Sequence, residues 1–176
     1  MRKCIEDAWI KRYNSTKEKP GESEMRQPFI KTQAVYYTVG AWQKNGICAG
    51  FTVKNGGAST NFPGSLNLAF HVNDDPESVR KNREIIASAA GFPLLNWIGA
   101  EQTHEDHVQR VTRKDAGKGA ADYRSSFPHT DGLYTDEKEI GLADFHAKAL
   151  QNGIITLGWI RRLDNTQRNH AHLVTN

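Results

Sequence analysis

The sequence predicts an α+β fold, a mixed β-sheet with helices packed on it in a single domain. Three observations lead there. Short runs of β-branched and aromatic residues recur between polar turns, the segment 76–90 carries helix signals at both ends, and a chain of 176 residues suits one hydrophobic core. Residues 1–30 read as a flexible leader, 31–160 as the domain and 161–176 as a frayed tail.

Between residues 11 and 30 both charges mix with Pro20 and Gly21 and no apolar period emerges, so regular structure is expected only from about Pro28. Residues 34–38 and 47–53 are rich in β-branched and aromatic side chains, and Lys44-Asn45-Gly46 supplies the turn of a hairpin. Asn55-Gly56-Gly57 breaks the second strand. After Pro63-Gly64, the apolar run 65–72 is a strand or a buried extended segment, ending at Asn73-Asp74-Asp75-Pro76. Asp75 can cap the amides of a helix whose first residue is Pro76, and Gly91 stands where that helix stops. Val79, Ile86 and Ala90 then share one stripe, with Arg80, Lys81 and Glu84 left for solvent. The caps account for both Asp74 and Asp75, so neither is assigned catalysis. Further strands are expected at 97–101, 107–111, 132–135, 140–146 and 154–160, with a surface loop over 114–128 containing Gly117 and Gly119. Beyond Arg161 no apolar period continues.

Composition narrows the class. A net charge of +3 is too mild and too scattered to make nucleic acid the default partner. Cys4 and Cys48 lie far apart in a chain whose charged first residues lack the apolar core of an export signal, so they read as reduced thiols of a cytoplasmic protein. No run approaches the ~20 apolar residues of a membrane span, so no membrane partner is expected.

Several stretches could carry chemistry. Lys54-Asn55-Gly56-Gly57-Ala58-Ser59 follows a strand and offers backbone amides, a cation and a hydroxyl for a phosphate, although Gly-Gly after a strand is also an ordinary turn. His71 ends an apolar run, where a histidine bonded to backbone is the plain alternative. His104 follows a short apolar segment in Glu101-Gln102-Thr103-His104, and His107 lies three residues on; on a strand the two would face opposite sides and could not share a metal. A catalytic zinc needs about three protein ligands, and locally His104 is one of them at most. His170 and His172 fall in the polar tail.

The run 49–59, then 65–76, Asn82-Arg83, Glu101-Gln102-Thr103-His104 and Thr130-Asp131-Gly132-Leu133-Tyr134-Thr135 resembles, in order, the YlmD/YfiH family. This is the laccase-domain or multicopper polyphenol oxidoreductase family, whose members include purine nucleoside phosphorylases with adenosine deaminase and methylthioadenosine phosphorylase activity. The match covers about residues 47–147. The resemblance implies a site made of the histidine of Gln-x-His-Gly, a cysteine of Ala-Asp-Cys and a histidine of His-Ala-Gly-Trp, with zinc or copper as the metal and a purine nucleoside and phosphate as partners. The first histidine carries over to His104, as catalytic residue and metal ligand. Lys54, Asn67, His71 and Asp131 match positions that line or brace the substrate pocket, Lys54 replacing a frequent arginine.

Departures follow. Glu105 stands for the glycine after the histidine, putting a side chain where positive-φ backbone is expected. Counted without gaps, Tyr-Ala-Asp-Cys falls on His146-Ala147-Lys148-Ala149, and Gly158-Trp159 echoes the last motif with Thr156 at its histidine. Alanine can neither ligate a metal nor act as a nucleophile. The sequence after Ala147 reads as a frameshift, and the domain as truncated on its C-terminal side. The expected function is therefore purine nucleoside phosphorolysis in impaired form, with a catalytically inactive remnant that at most binds nucleosides as the alternative. Copper oxidation has too few ligands.

Overall fold

The computed structural model describes residues 29–33, 35–43, 47–60, 64–145, 157–162 and 171–174. A six-stranded sheet has the order β1-β2-β3-β8-β7-β4 and a three-stranded sheet the order β5-β6-β9. Their strands are β1 (Phe29–Gln33), β2 (Tyr36–Val39), β3 (Ile47–Thr52), β4 (Trp97–Gly99), β5 (Val108–Arg110), β6 (Gly132–Thr135), β7 (Gly141–Phe145), β8 (Leu157–Arg162) and β9 (Ala171–Val174). One helical turn, α1 (Gly40–Gln43), follows β2, and the long helix is α2 (Pro76–Ala89). Pairing is antiparallel except between β4 and β7 and between β5 and β6. The sheets are mixed, as the α+β reading expects.

Local chemistry sets α2. The Asp75 carboxylate accepts from the Ser78 amide at 3.0 Å and the Ser78 hydroxyl at 2.8 Å, and Pro76 opens the helix. At the far end Gly91 adopts φ 62° and donates to Ser88 O at 3.0 Å, while Phe92 N donates to Ala87 O at 2.9 Å. That pair of bonds is a Schellman cap, which needs a residue that tolerates the left-handed region. Val79, Ile86 and Ala90 are buried as their spacing requires, and the same face buries two polar residues, Asn82 and Arg83.

The core lies on both faces of the large sheet. Trp97, Ala143 and Phe145 pack with Leu66, Leu68, Ile86 and Phe92 on the α2 side. Ile98 and Leu142 pack with Val111, Leu133 and Ile140 toward the small sheet. The strand period of two sends alternate residues of β4 and β7 into the two clusters, so both strands are apolar throughout their pairing.

Three expectations change. β1 begins within the segment read as leader, because pairing with β2 (Ile30 opposite Thr38) supplies hydrogen bonds that no local period reveals. Of the two forms allowed for the run 65–72, the structure takes the buried segment without a strand over residues 66–69, whose backbone bonds go to side chains and loops. The tail contains regular structure: Arg161 and Arg162 belong to β8, between β3 and β7, and Ala171–Val174 pairs with β6. Asp74 is no helix cap: its carboxylate accepts from Ser59 Oγ at 2.6 Å, Asn67 Nδ2 at 2.9 Å and Asp75 N at 2.9 Å. Residues 1–28, the turn 44–46, Pro63, 146–149, Thr156 and His170 lie outside the described residues. Among those described, no helix is long and apolar enough to cross a membrane.

Candidate functional site

The parallel pair β4 and β7, with Trp97 opposite Gly141 and Gly99 opposite Ala143, delivers the carboxyl ends of two strands to one place. Ligands gather at such strand ends because loops diverge there and leave a crevice. A cavity of about 400 Å³ opens at that point, and His71, Arg83, Gln102, His104, Tyr123 and Asp144 are among its lining residues. His71 and His104 are both exposed. The fold thus joins two of the residues singled out in the sequence.

His104 sits in the left-handed region at φ 60°. Such a conformation is uncommon for a residue with a Cβ and persists where the surroundings over-determine it. Asp131 does so. Its Oδ1 accepts from the amides of Thr103 at 3.0 Å and His104 at 2.6 Å, and its Oδ2 from Glu105 N at 2.9 Å. Burial opposes ionisation of this carboxyl, yet the amides of Glu105, Thr103 and His104 outweigh it and hold the pKa below the ordinary aspartate value. Glu105 needs no glycine conformation: positive φ belongs to His104, and Glu105 is exposed. The strain expected one residue later falls on the histidine itself. His107 is exposed away from the cavity lining; its carbonyl accepts from Asp131 N at 2.8 Å.

Asn67 is fully buried and turns the chain that carries His71. Its Oδ1 accepts from Ala69 N at 3.1 Å, and its Nδ2 donates to Ala69 O and to Asp74. Asn82 extends this network, its Nδ2 donating to Ser59 Oγ, Ser65 O and Asn67 O and its Oδ1 accepting from Ala58 N at 2.6 Å. The amides of Gly56 and Gly57 donate to Ser65 Oγ at 3.0 and 3.1 Å, and Ser59 N to Ser65 O. These amides are occupied within the fold rather than turned toward an anion. Lys54 holds the same loop through its carbonyl, which accepts from Leu66 N at 2.9 Å, and it does not line the cavity.

Gly57 is required by close backbone approach. A Cβ there would lie 2.2 Å from Ser65 O and 2.4 Å from Asn82 Oδ1. Gly57→Ala is expected to destabilise the chain by roughly 1–3 kcal/mol through forced displacement of Ser65, Leu66 and Asn82. Denaturant titration checks this, and unchanged stability would mean that these residues shift without resistance.

Tyr123, Asp144 and Arg83 line the cavity, although the sequence did not mark them as site residues. Tyr123 donates to Glu101 Oε1 at 3.2 Å and its ring lies 6.0 Å from that of His71. Burial first, then the Glu101 charge, pushes its phenol pKa up. Asp144 enters from the end of β7. Arg83 is 1% exposed and gives Nε to Leu68 O at 2.7 Å and Nη1 to Gly119 O and Ala120 O at 2.6 and 2.7 Å. A signal for Arg83 did exist: it falls on the Val79, Ile86, Ala90 stripe, where a charge is out of place. Tyr123 and Asp144 carry no comparable local signal.

Among the described residues, no three His, Cys, Asp or Glu side chains converge to hold a metal ion. The donors among the described residues thus fall short of the set of about three that the zinc or copper implied by the family resemblance would need.

Residues 48–150 match the family model described as multi-copper polyphenol oxidoreductase laccase. Over 97 residues the chain is 48% identical to the purine nucleoside phosphorylase YlmD of Bacillus subtilis, a match covering 55% of this chain and 35% of that protein. The fold is similar to the crystal structure of YlmD from Geobacillus stearothermophilus, at TM-score 0.66 and 35% identity over 77% of this chain and 52% of that one. It is equally similar to the hypothetical protein YfiH of Bacillus licheniformis, at TM-score 0.66 and 33% identity over the same shares of the two chains. The match thus spans about a third of the Bacillus subtilis relative's length.

Proposed function

The chain belongs to the multi-copper polyphenol oxidoreductase laccase family, and from that premise we propose that it acts on purine nucleosides, cleaving the bond between base and ribose with inorganic phosphate. The observation that carries this reading is the meeting of His71 and His104 on one cavity at the ends of β4 and β7, in a chain whose relatives are named purine nucleoside phosphorylases. A phosphate oxygen bonds to the anomeric carbon, the carbon–nitrogen bond breaks, and its electron pair leaves on the purine. The purine takes up a proton, giving free base and ribose 1-phosphate. His104 is the group assigned to that proton transfer. His71 is assigned to substrate contact beside Tyr123, while Asn67 and Asp131 position the two histidines from behind. Lys54, away from the cavity, is given no step. Phosphorolysis of methylthioadenosine and deamination of adenosine are further activities to be sought, and the cytoplasm is the proposed place of action. No step is routed through a metal.

Phosphate-dependent release of base from adenosine, inosine and guanosine, followed by chromatography, tests this. His104→Ala is expected to lower the rate about 10²–10⁴-fold. An undiminished rate in that variant, or no release by the unaltered chain, overturns it. A second reading, nucleoside binding without turnover, is favoured by Ala149 and Thr156 standing at the positions of the family's cysteine and second histidine. Calorimetric binding of inosine with no base released would select it.

A further inference from the structure

Arg83 carries a charge that the chemistry above leaves unused. Its guanidinium is covered by two rings, with Cζ 3.3 Å from the Phe145 centroid and 4.2 Å from the Phe70 centroid. Nε and Nη1 are committed to three main-chain carbonyls. With the rings and these edges occupied, the remaining donors are those of Nη2, which has no partner among the described residues. No carboxylate there forms an ion pair with Arg83, although Asp144 lines the same cavity.

A buried cation held by neutral dipoles alone is costly unless a counter-charge arrives. Burial also pulls the Arg83 pKa well down from the ordinary arginine value. Neutral carbonyls orient the guanidinium without neutralising it. It is thus rigid, desolvated and still a charged donor, properties that strengthen binding to an oxyanion.

We propose that the Nη2 edge of Arg83 is the anchor of a phosphate subsite in the cavity that also presents His71 and His104. The site rests on the phosphorolysis reading in one respect, since inorganic phosphate is that reaction's co-substrate. The Gly56-Gly57 loop, the sequence-level candidate for this task, has its amides occupied. The phosphate group could equally arrive on a nucleotide, and the two sources differ in competition.

Calorimetric titration of the full chain with inorganic phosphate is the test, with adenosine monophosphate and adenosine as parallel titrants. Saturable phosphate binding is expected, weakened about tenfold or more in Arg83→Lys, which keeps a charge but loses the fork. Competition by adenosine monophosphate but not by adenosine would mark the nucleotide as a second source for the same subsite. Because Arg83→Lys disturbs three carbonyls, Ser126→Phe serves as a second variant that fills the cavity and leaves Arg83 intact. Loss of phosphate binding in Ser126→Phe with an unchanged melting transition supports the site even if Arg83→Lys does not fold. Undiminished binding in either folded variant, or no phosphate binding by the unaltered chain, overturns it. Arg83-dependent binding without nucleoside turnover would defeat phosphorolysis alone. Turnover with an unchanged phosphate KM in Arg83→Lys would defeat the subsite alone.

Discussion

Arg83→Met is expected to cost about 3–5 kcal/mol of folding stability. Two effects oppose each other. Removing a desolvated cation relieves a burial penalty, and methionine keeps apolar contact with Phe70 and Phe145. Against this, the carbonyls of Leu68, Gly119 and Ala120 lose their donor. When an ion pair is replaced whole by apolar residues the exchange is often neutral, because both partners go. Here the partners are main-chain atoms that no substitution removes, and Gly119 is pinned at φ 69° in a turn where a Cβ would meet Gly99 O at 2.5 Å. Stranded acceptors therefore outweigh the relief. Urea denaturation measures the difference, and a loss below about 1 kcal/mol would mean that cavity water replaces the guanidinium without strain.

Asp131→Asn is expected to lower phosphorolysis about 10–100-fold by releasing His104 rather than by removing a reacting group. The amide oxygen can keep the bonds from Thr103 and His104, but an NH₂ then faces the Glu105 amide, donor against donor. The left-handed conformation of His104 loses part of what holds it. Hydrogen exchange at residues 103–105 should accelerate even if turnover proves undetectable, whereas unchanged exchange would show that the turn holds without the carboxylate. The same carboxylate sets a pH dependence. Its folded pKa lies below the ordinary aspartate value, so its stabilisation is complete above that ordinary value and is lost as pH falls through the lower folded one. Exchange at 103–105 should therefore rise on acidification in the unaltered chain, relative to the intrinsic rates, and the extra rise should vanish in Asp131→Asn.

How much was legible beforehand follows from how far each interaction reaches along the chain. Asp75, Pro76 and Gly91 announce α2 because capping is settled within a few residues. The hairpin of β2 and β3 is likewise local. β1 and β9 were missed because their stability comes from partners far away in sequence, and neither Phe29–Gln33 nor Ala171–Val174 shows a strong period alone. In the site, His104 stood out through its motif and Asp131 through the resemblance. Neither displayed the link between them, a carboxylate gripping three amides across a loop.

By itself, then, the sequence determined the fold class, the helix and its caps, family membership and the histidine on which the proposed chemistry turns. Tertiary structure alone decided that Asp74 belongs to a buried network, that the Gly56-Gly57 amides are occupied, and that Arg83 lines the cavity with Nη2 unpartnered among the described residues. The physical reason is that burial and hydrogen-bond satisfaction belong to the assembled environment. A glycine amide or a guanidinium has the same donors in any sequence, and only the packed chain decides which of them are left for a ligand.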